Sequence, residues 1–178
     1  MKILAIAATN HNESINKKLL TYTASVIQER FAESQIELLD LVDYEMPLYR
    51  QDREAEGGIP QKAQEFFGKI GDSDAVIISF AEHNGGFTAV YKNLFDWMSR
   101  INQKVFQDKP VVLMAASPGP RGGAGVLAAA ESGAPYFGMD VKAKVSMPVF
   151  KSNFDLATGE VSNEEIKAQI HHAVEALQ

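Results

Sequence analysis

A continuous apolar strand that runs straight into a polar loop constrains the fold of this chain more than any other stretch. Residues 3–8 are all apolar, a pattern typical of a central parallel strand covered on both faces. Residues 9–16 then supply two hydroxyls, three carboxamides and one imidazole, and a helix is predicted to begin near Ser14 or Ile15. A helix N-terminus presents unpaired N–H groups and the positive end of the helix dipole. The sequence therefore predicts an anion site here, for phosphate in particular.

The absence of two motifs narrows the range of ligands expected for this first loop. It carries neither the G-x-x-x-x-G-K-[ST] pattern of nucleoside triphosphatases nor the G-x-G-x-x-G pattern of dinucleotide-binding folds. A loop rich in hydroxyls and amides can hold one terminal phosphate monoester through many hydrogen bonds, which suits FMN in a flavodoxin-like sheet. The alternative is that Ser14, or Asn12 before it, only caps the first helix. The loop alone does not choose between these two interpretations.

Composition excludes several other classes of protein. The 178 residues contain no cysteine, which excludes disulfides, thiol nucleophiles and thiolate metal sites. The formal net charge of -6, without a long basic run, argues against nucleic acid and anionic membranes as partners. The first strand is too short to span a bilayer and lacks a signal-peptide pattern, so we expect a cytoplasmic protein. No break in composition divides the chain, and we expect a single domain over residues 1–178.

Hydrophobic periodicity predicts alternating strands and helices along the rest of the chain. Strands are predicted at residues 35–41, 75–80, 109–116 and 140–147, the last with one face in water, and helices at residues 15–31, 61–70, 90–101 and 124–136. Residues 42–60 are predicted to form a long loop, and residues 153–161 a turn or small hairpin. Ser162 and Glu165 predict a capping box that opens a last helix. The predicted fold is α/β, a flavodoxin-like three-layer sandwich whose five-stranded parallel sheet has the order 2-1-3-4-5.

Two further loops, after the third and fourth strands, are rich in glycine. Residues 82–86 read Glu-His-Asn-Gly-Gly, and residues 117–123 read Ser-Pro-Gly-Pro-Arg-Gly-Gly. The carboxyl ends of parallel strands meet at one edge of an open α/β sheet, where such folds bind their ligands. Glu82 and His83 without a third ligand do not suffice for a metal site or an acid–base pair. We therefore assign no catalytic side chain and no metal ligand.

Residues 8–16, 81–97 and 117–123 carry three spaced motifs. They correspond roughly to G-S-x-R-x-x-S-x-N, P-E-Y-N-G-S-x-P-x-x-L-K-N-x-x-D-W and S-x-G-x-x-G-G, and the second is the most specific. In these motifs the chain resembles, over essentially its whole length, the NAD(P)H-dependent FMN reductases, a flavodoxin-like family that includes quinone, azo-dye and chromate reductases. The chain departs from the motifs where His11 replaces Arg, Ala81 and Thr88 replace Pro, His83 replaces Tyr and Gly86 replaces Ser.

The resemblance implies a bound FMN, with NADPH or NADH as co-substrate, and a role for each loop. The phosphate would be held by Thr9, Ser14, Asn16 and the backbone amide of Ile15, with His11 at the position of the family's arginine. The isoalloxazine ring would be lined by Glu82, His83, Asn84 and Gly85, and its pyrimidine end by Ser117, Gly119, Gly122 and Gly123. The helix after the third loop would favour negative charge on the ring. Because histidine, unlike arginine, loses its charge near neutral pH, we expect weaker phosphate binding than arginine would give.

The implied reaction passes hydride from NAD(P)H to FMN and then to a small-molecule acceptor, which is a quinone, an azo compound, free flavin or a metal oxyanion. Two alternatives stay open: a flavin-binding electron carrier without nicotinamide activity, and a member that has lost flavin. The resemblance, together with the aromatic residues Phe87, Tyr91, Phe95 and Trp97 around one helix, also predicts a homodimer or homotetramer. The sequence does not choose between NADH and NADPH.

Overall fold

The computed structural model describes residues 1–178 and shows a five-stranded parallel sheet between two layers of helices. The strands of the sheet are β1 (Lys2–Ala8), β2 (Gln35–Asp40), β3 (Ala75–Phe80), β4 (Lys109–Ala116) and β5 (Met139–Met147). The helices are α1 (Ile15–Arg30), a short 3-10 helix (Leu41–Tyr44), α2 (Gln51–Gly57), α3 (Gln61–Asp72), α4 (Ala89–Ile101), α5 (Ala124–Phe137), α6 (Phe150–Asn153) and α7 (Glu164–Glu175). A hairpin of β6 (Phe154–Asp155) and β7 (Glu160–Val161) precedes α7. The sheet order is 2-1-3-4-5, which confirms the prediction.

The apolar run of β1 places this strand between two hydrophobic cores. Its odd-numbered residues from Ile3 to Ala7 pack with α1 and α7, and its even-numbered residues from Leu4 to Ala8 pack with α3, α4 and α5. Each core contains 23 buried residues. Because successive side chains of a strand point to opposite faces, a strand covered on both faces must be apolar throughout. Both cores therefore hold the end of β1, and the polar loop after it, in place.

The carboxyl-terminal third of the chain also follows its sequence pattern. β5 is an edge strand whose first six residues alternate between partly buried and exposed, which confirms the predicted wet face. The predicted hairpin is confirmed as well, because Phe154 pairs with Val161 and Asp155 pairs with Glu160. The hairpin closes at Gly159, whose φ is 77°.

The prediction of one long loop over residues 42–60 is wrong. The segment begins within the 3-10 helix and contains α2. No residue of α2 is buried, so this helix leaves no hydrophobic periodicity in the sequence. The chain before α2 is held against α4, because Asn93 accepts the N–H of Tyr49 at 2.8 Å and the buried Trp97 indole donates to the carbonyl of Pro47 at 2.8 Å.

The last helix is capped one residue later than predicted. Asn163 rather than Ser162 is the N-cap of α7, and its side-chain oxygen accepts the N–H groups of Glu165 at 3.0 Å and Ile166 at 3.1 Å. Ser162 instead donates its own N–H to the carbonyl of Asn153. Asparagine and serine are comparable caps, so their spacing alone did not separate them. None of the helices has the length and apolar character needed to cross a membrane.

Candidate functional site

Three loops meet at the carboxyl edge of the sheet around a polar cavity of about 480 Å³. They follow β1, β3 and β4, which are neighbours in the sheet, so the predicted convergence is confirmed. The cavity is lined by Thr9, Asn10, His11, Glu13, Ser14, Ile15, Asn16, Ala81, Glu82, His83, Ala116, Ser117 and Pro118. Small-molecule sites have volumes of roughly 300–1,000 Å³, and this cavity lies within that range.

The lining overlaps with the predicted site but does not coincide with it. Five predicted residues do not line the cavity: Asn84, Gly85, Gly119, Gly122 and Gly123. Five residues that do line the cavity were not predicted from the sequence: Asn10, Glu13, Ala81, Ala116 and Pro118. Asn10 and Glu13 lie between predicted residues of the first loop. Their position in that polar loop was the signal that would have identified them.

The first loop supplies both a helix cap and a free donor. The hydroxyl oxygen of Ser14 accepts the N–H of Asn16 at 3.1 Å, so Ser14 is the N-cap of α1. Oγ1 of Thr9 accepts the N–H of His11 at 3.2 Å. The N–H of Ile15, in the first turn of α1, has no acceptor within the chain, and Ile15 lines the cavity. The two interpretations of this loop are therefore compatible, because Ser14 caps the helix while the helix start still offers a donor to an anion.

Asn16 reaches the cavity, but its carboxamide is used inside the protein. The residue is 2% exposed. Its Oδ1 accepts the N–H of Ala116 and the hydroxyl of Ser79, both at 2.8 Å, and its Nδ2 donates to the carbonyl of Ala116 at 3.2 Å. These bonds tie the start of α1 to the ends of β3 and β4. The sequence signal for this network was Ser79, the one polar residue in an otherwise apolar strand.

The second loop is a tight turn over residues 83–86. His83 and Gly86 exchange two backbone hydrogen bonds, at 3.0 and 3.1 Å, and Asn84 and Gly85 have φ values of 53° and 81°. Positive φ at both central residues is the geometry of a type I′ turn, for which Asn-Gly is a favoured pair. His83 is exposed and is the one residue of the turn that lines the cavity.

Thr88 attaches this turn to the first strand. Its hydroxyl donates to the carbonyl of Ala8 at 3.0 Å, and the same oxygen accepts the N–H of Tyr91 at 3.3 Å as the N-cap of α4. Thr88 is buried. Sequence reasoning noted this residue as a departure from the family motif and missed its role. The available signal was a threonine directly before a helical stripe, which is an N-cap pattern.

The glycines of the third loop shape its backbone rather than line the cavity. Gly122 and Gly123 have φ values of 58° and 77°. A Cβ atom on Gly123 would lie 2.5 Å from Cβ of Ala115 in β4, and one on Gly122 would collide with the hydroxyl of Ser146 in β5. Glycine therefore lets this loop pack against the two strands. Ser117, at the start of the loop, lines the cavity.

The cavity lining carries titratable groups but neither lysine nor arginine. These groups are two imidazoles and two carboxylates, from His11, Glu13, Glu82 and His83. The lysines in the first turn of α1 lie beside carboxylates: Lys17 forms an ion pair with Asp40, and Lys18 lies 3.5 Å from Glu13 of the lining. An anion in this cavity would meet neutral N–H and O–H donors, together with the imidazole of His11 in the first loop.

The sheet order defines a flavodoxin-like α/β fold with a cavity at the carboxyl edge of its sheet. The chain belongs to the family of NADPH-dependent FMN reductases, which it matches over residues 1–152. The members of this family are oxidoreductases that use FMN and NAD(P)H.

Relatives of known name act on different acceptors. The chain is 33% identical over 122 residues to the NADH:(hydroxy)cinnamate reductase subunit CrdA of Vibrio ruber, which covers 68% of this chain and 56% of that protein. It is 32% identical over 124 residues to the 2-hydroxy-1,4-benzoquinone reductase of a Burkholderia species, covering 68% of this chain and 63% of that protein. The matched part is therefore less than two thirds of the length of either relative.

Solved structures share the whole fold. The flavoenzyme NAD(P)H:(acceptor) oxidoreductase FerB of Paracoccus denitrificans superposes with a TM-score of 0.73 at 24% identity, covering 99% of this chain and 94% of that one. The FMN-dependent NADH-azoreductase of Bacillus anthracis, solved in complex with FMN, has a TM-score of 0.74 at 14% identity and 99% coverage of both chains. At these identities the likeness shows the fold.

Proposed function

We propose that this chain binds FMN in the cavity and carries electrons from NADPH or NADH to a small-molecule acceptor, which is a quinone, an azo compound, free flavin or a metal oxyanion. The observation that carries this proposal is the cavity itself. It joins a helix start with a free N–H group to two further loops at the carboxyl edge of the sheet. Membership of the FMN reductase family supports the choice of cofactor.

The first loop fits the phosphate end of FMN. The N–H of Ile15 and the hydroxyls of Thr9 and Ser14 are the donors, and Asn16 holds the loop in position through its bonds to Ala116 and Ser79. His11 stands at the position of the family's arginine. The amide and hydroxyl donors can bind a phosphate without a permanently charged side chain.

The second and third loops then border the ring end of the cavity through Glu82, His83 and Ser117. FMN, when bound, supplies a ring nitrogen that accepts hydride from the nicotinamide and passes it on to the acceptor. No side chain is needed as a nucleophile or base. His83, which is exposed and lines the cavity, would be the proton donor to an acceptor that enters the cavity. We expect ping-pong kinetics, because reductant and acceptor would enter the same cavity.

An absorbance titration tests this proposal. The purified protein is freed of flavin, titrated with FMN, and then treated with NADPH or NADH without oxygen. We expect micromolar or tighter binding of FMN and bleaching of the flavin bands by at least one nicotinamide. Bound flavin that neither nicotinamide bleaches would support the electron carrier instead. A protein that does not bind micromolar FMN would support the member that has lost flavin.

We also propose that the chain forms a homodimer through an apolar groove between α4 and α5. The groove, of about 250 Å³, is lined by aromatic side chains that include Phe87, Tyr91, Phe95 and Phe137. Tyr91 is 3% exposed, and its hydroxyl makes no hydrogen bond within the chain. Every fully buried polar side-chain atom has a partner, so this hydroxyl is not fully buried. That hydroxyl therefore opens onto the groove, and burial of the ring raises its pKa. A second copy would cover the aromatic surface and offer an acceptor to Tyr91.

A further inference from the structure

The carboxylate of Glu82 occupies the N-terminus of α5 at the wall of the cavity. Its Oε2 accepts the backbone N–H of Val126 at 2.8 Å. Glu82 is partly buried and lines the cavity. The same carboxylate therefore contacts the helix on one side and borders the proposed flavin site on the other.

Helix α5 has no acidic group of its own at this end. Its N-cap, Gly123, has no side chain that could cap the helix, and its first turn contains no Asp or Glu. Glu82 reaches the first turn from the second loop, across 44 residues of sequence. The positive end of the α5 dipole is thus already matched by a fixed negative charge.

Gly125 makes this arrangement possible. A Cβ atom on Gly125 would lie 2.8 Å from Oε2 of Glu82 and 2.8 Å from the carbonyl oxygen of Gly85. Any larger residue would push the second loop away from the first turn of α5. The contact between Glu82 and α5 therefore requires glycine at position 125.

We propose that Glu82 cancels the positive end of α5 at the edge of the cavity and so makes bound FMN harder to reduce and a stronger electron donor once reduced. This inference rests on the proposed function. Hydride transfer adds two electrons and one proton to the ring, so the anionic reduced ring carries one more negative charge than the oxidised ring. Because Glu82 is in the wall and the lining has neither lysine nor arginine, the helix stabilises that negative charge only weakly. On this proposal, Glu82 weakens the stabilisation of negative charge that the resemblance implied for this helix.

The variant Glu82→Gln tests the inference, because it removes the charge and keeps an oxygen for the N–H of Val126. FMN-loaded wild type and variant are equilibrated without oxygen against a reference dye. At equal dye ratio we expect the ratio of reduced to oxidised FMN to rise about fivefold in the variant, in line with the effect of one charge at a helix terminus. Glu56→Gln is the matched control, since Glu56 is exposed and lies outside the cavity lining; we expect a change of less than about twofold.

A second measurement separates this electrostatic role from a structural one. Hydrogen exchange of the Val126 amide in the flavin-free protein should stay slow in Glu82→Gln and become faster in Glu82→Ala and Gly125→Ala. FMN bound to Glu82→Gln with an unchanged dye equilibrium would overturn the inference and leave the proposed function intact. Failure of the wild type to bind FMN would overturn both. Fast exchange at Val126 already in the wild type would show that the carboxylate does not hold α5.

Discussion

The cavity at the carboxyl edge and the groove between α4 and α5 differ in chemistry. The cavity is lined by hydroxyls, amides, imidazoles and carboxylates, whereas the groove is lined mainly by aromatic and small apolar side chains. Asn16 and Glu82 of the cavity lining, and Thr88 beside the second loop, are bonded to backbone groups of other elements. In the groove, the hydroxyl of Tyr91 has no partner within the chain. A polar site completed by its own chain suits a small ligand, and an apolar surface with an unused donor suits a second protein copy.

The largest effect is expected from Gly123→Ala, which tests how rigidly the third loop frames the cavity. The new Cβ would lie 2.5 Å from that of Ala115 at a φ of 77°. Backbone strain and overpacking together should lower the free energy of unfolding by about 4 kcal/mol. Gly159→Ala is the control, because Gly159 has the same φ with nothing within 4 Å, and it should lose only about 1 kcal/mol. Urea denaturation measures both; equal losses would show that close packing of the loop is unimportant.

Asn16→Ala tests whether the interior network holds the first loop in place. The change leaves the N–H of Ala116 and the hydroxyl of Ser79 without their partner in a buried place, and we expect a loss of about 3 kcal/mol in unfolding free energy. Asn12→Ala, at an exposed position of the same loop, should change it by less than about 0.5 kcal/mol. Denaturant midpoints compare the two. A stable Asn16→Ala protein with normal FMN affinity would contradict the positioning role.

Phe95→Asp tests the groove side of the comparison. A carboxylate in an aromatic interface is desolvated without a partner, so we expect dimer dissociation to become at least about 100-fold easier. Light scattering after size exclusion, over a range of concentrations, measures this. Leu156→Asp is the control, since Leu156 is exposed outside the groove and its replacement should leave the dimer intact. Circular dichroism checks that both variants are folded, and a wild type that is monomeric at high concentration would contradict the dimer.

The smallest effect is expected from His11→Arg, which tests what the cavity recognises. A permanent, bidentate cation at the first loop should raise FMN affinity about tenfold at neutral pH. Affinity for riboflavin, which lacks the phosphate, should stay the same. Fluorescence titrations measure all four values; an equal gain for riboflavin would place His11 away from the phosphate.

Much of this fold could be predicted from the sequence, because the sequence patterns that specify it are local or periodic. The apolar runs predicted the parallel sheet and its order, and the polar and glycine-rich stretches after three strands predicted where the cavity lies. Helix α2 was missed because it buries no residue, and the cap of α7 was misplaced by one residue because serine and asparagine cap similarly.

The roles of individual polar groups were decided only by the tertiary structure. The resemblance implied that Asn16, Glu82 and Gly123 contact the cofactor, and the structure shows in addition that Asn16 joins two strands, Glu82 holds a helix start and Gly123 packs on β4. Their partners lie 100, 44 and 8 residues away in the chain. A local pattern specifies which donors and acceptors a loop carries. Which of them remain free for a ligand depends on the distant backbone groups that folding brings within hydrogen-bonding distance.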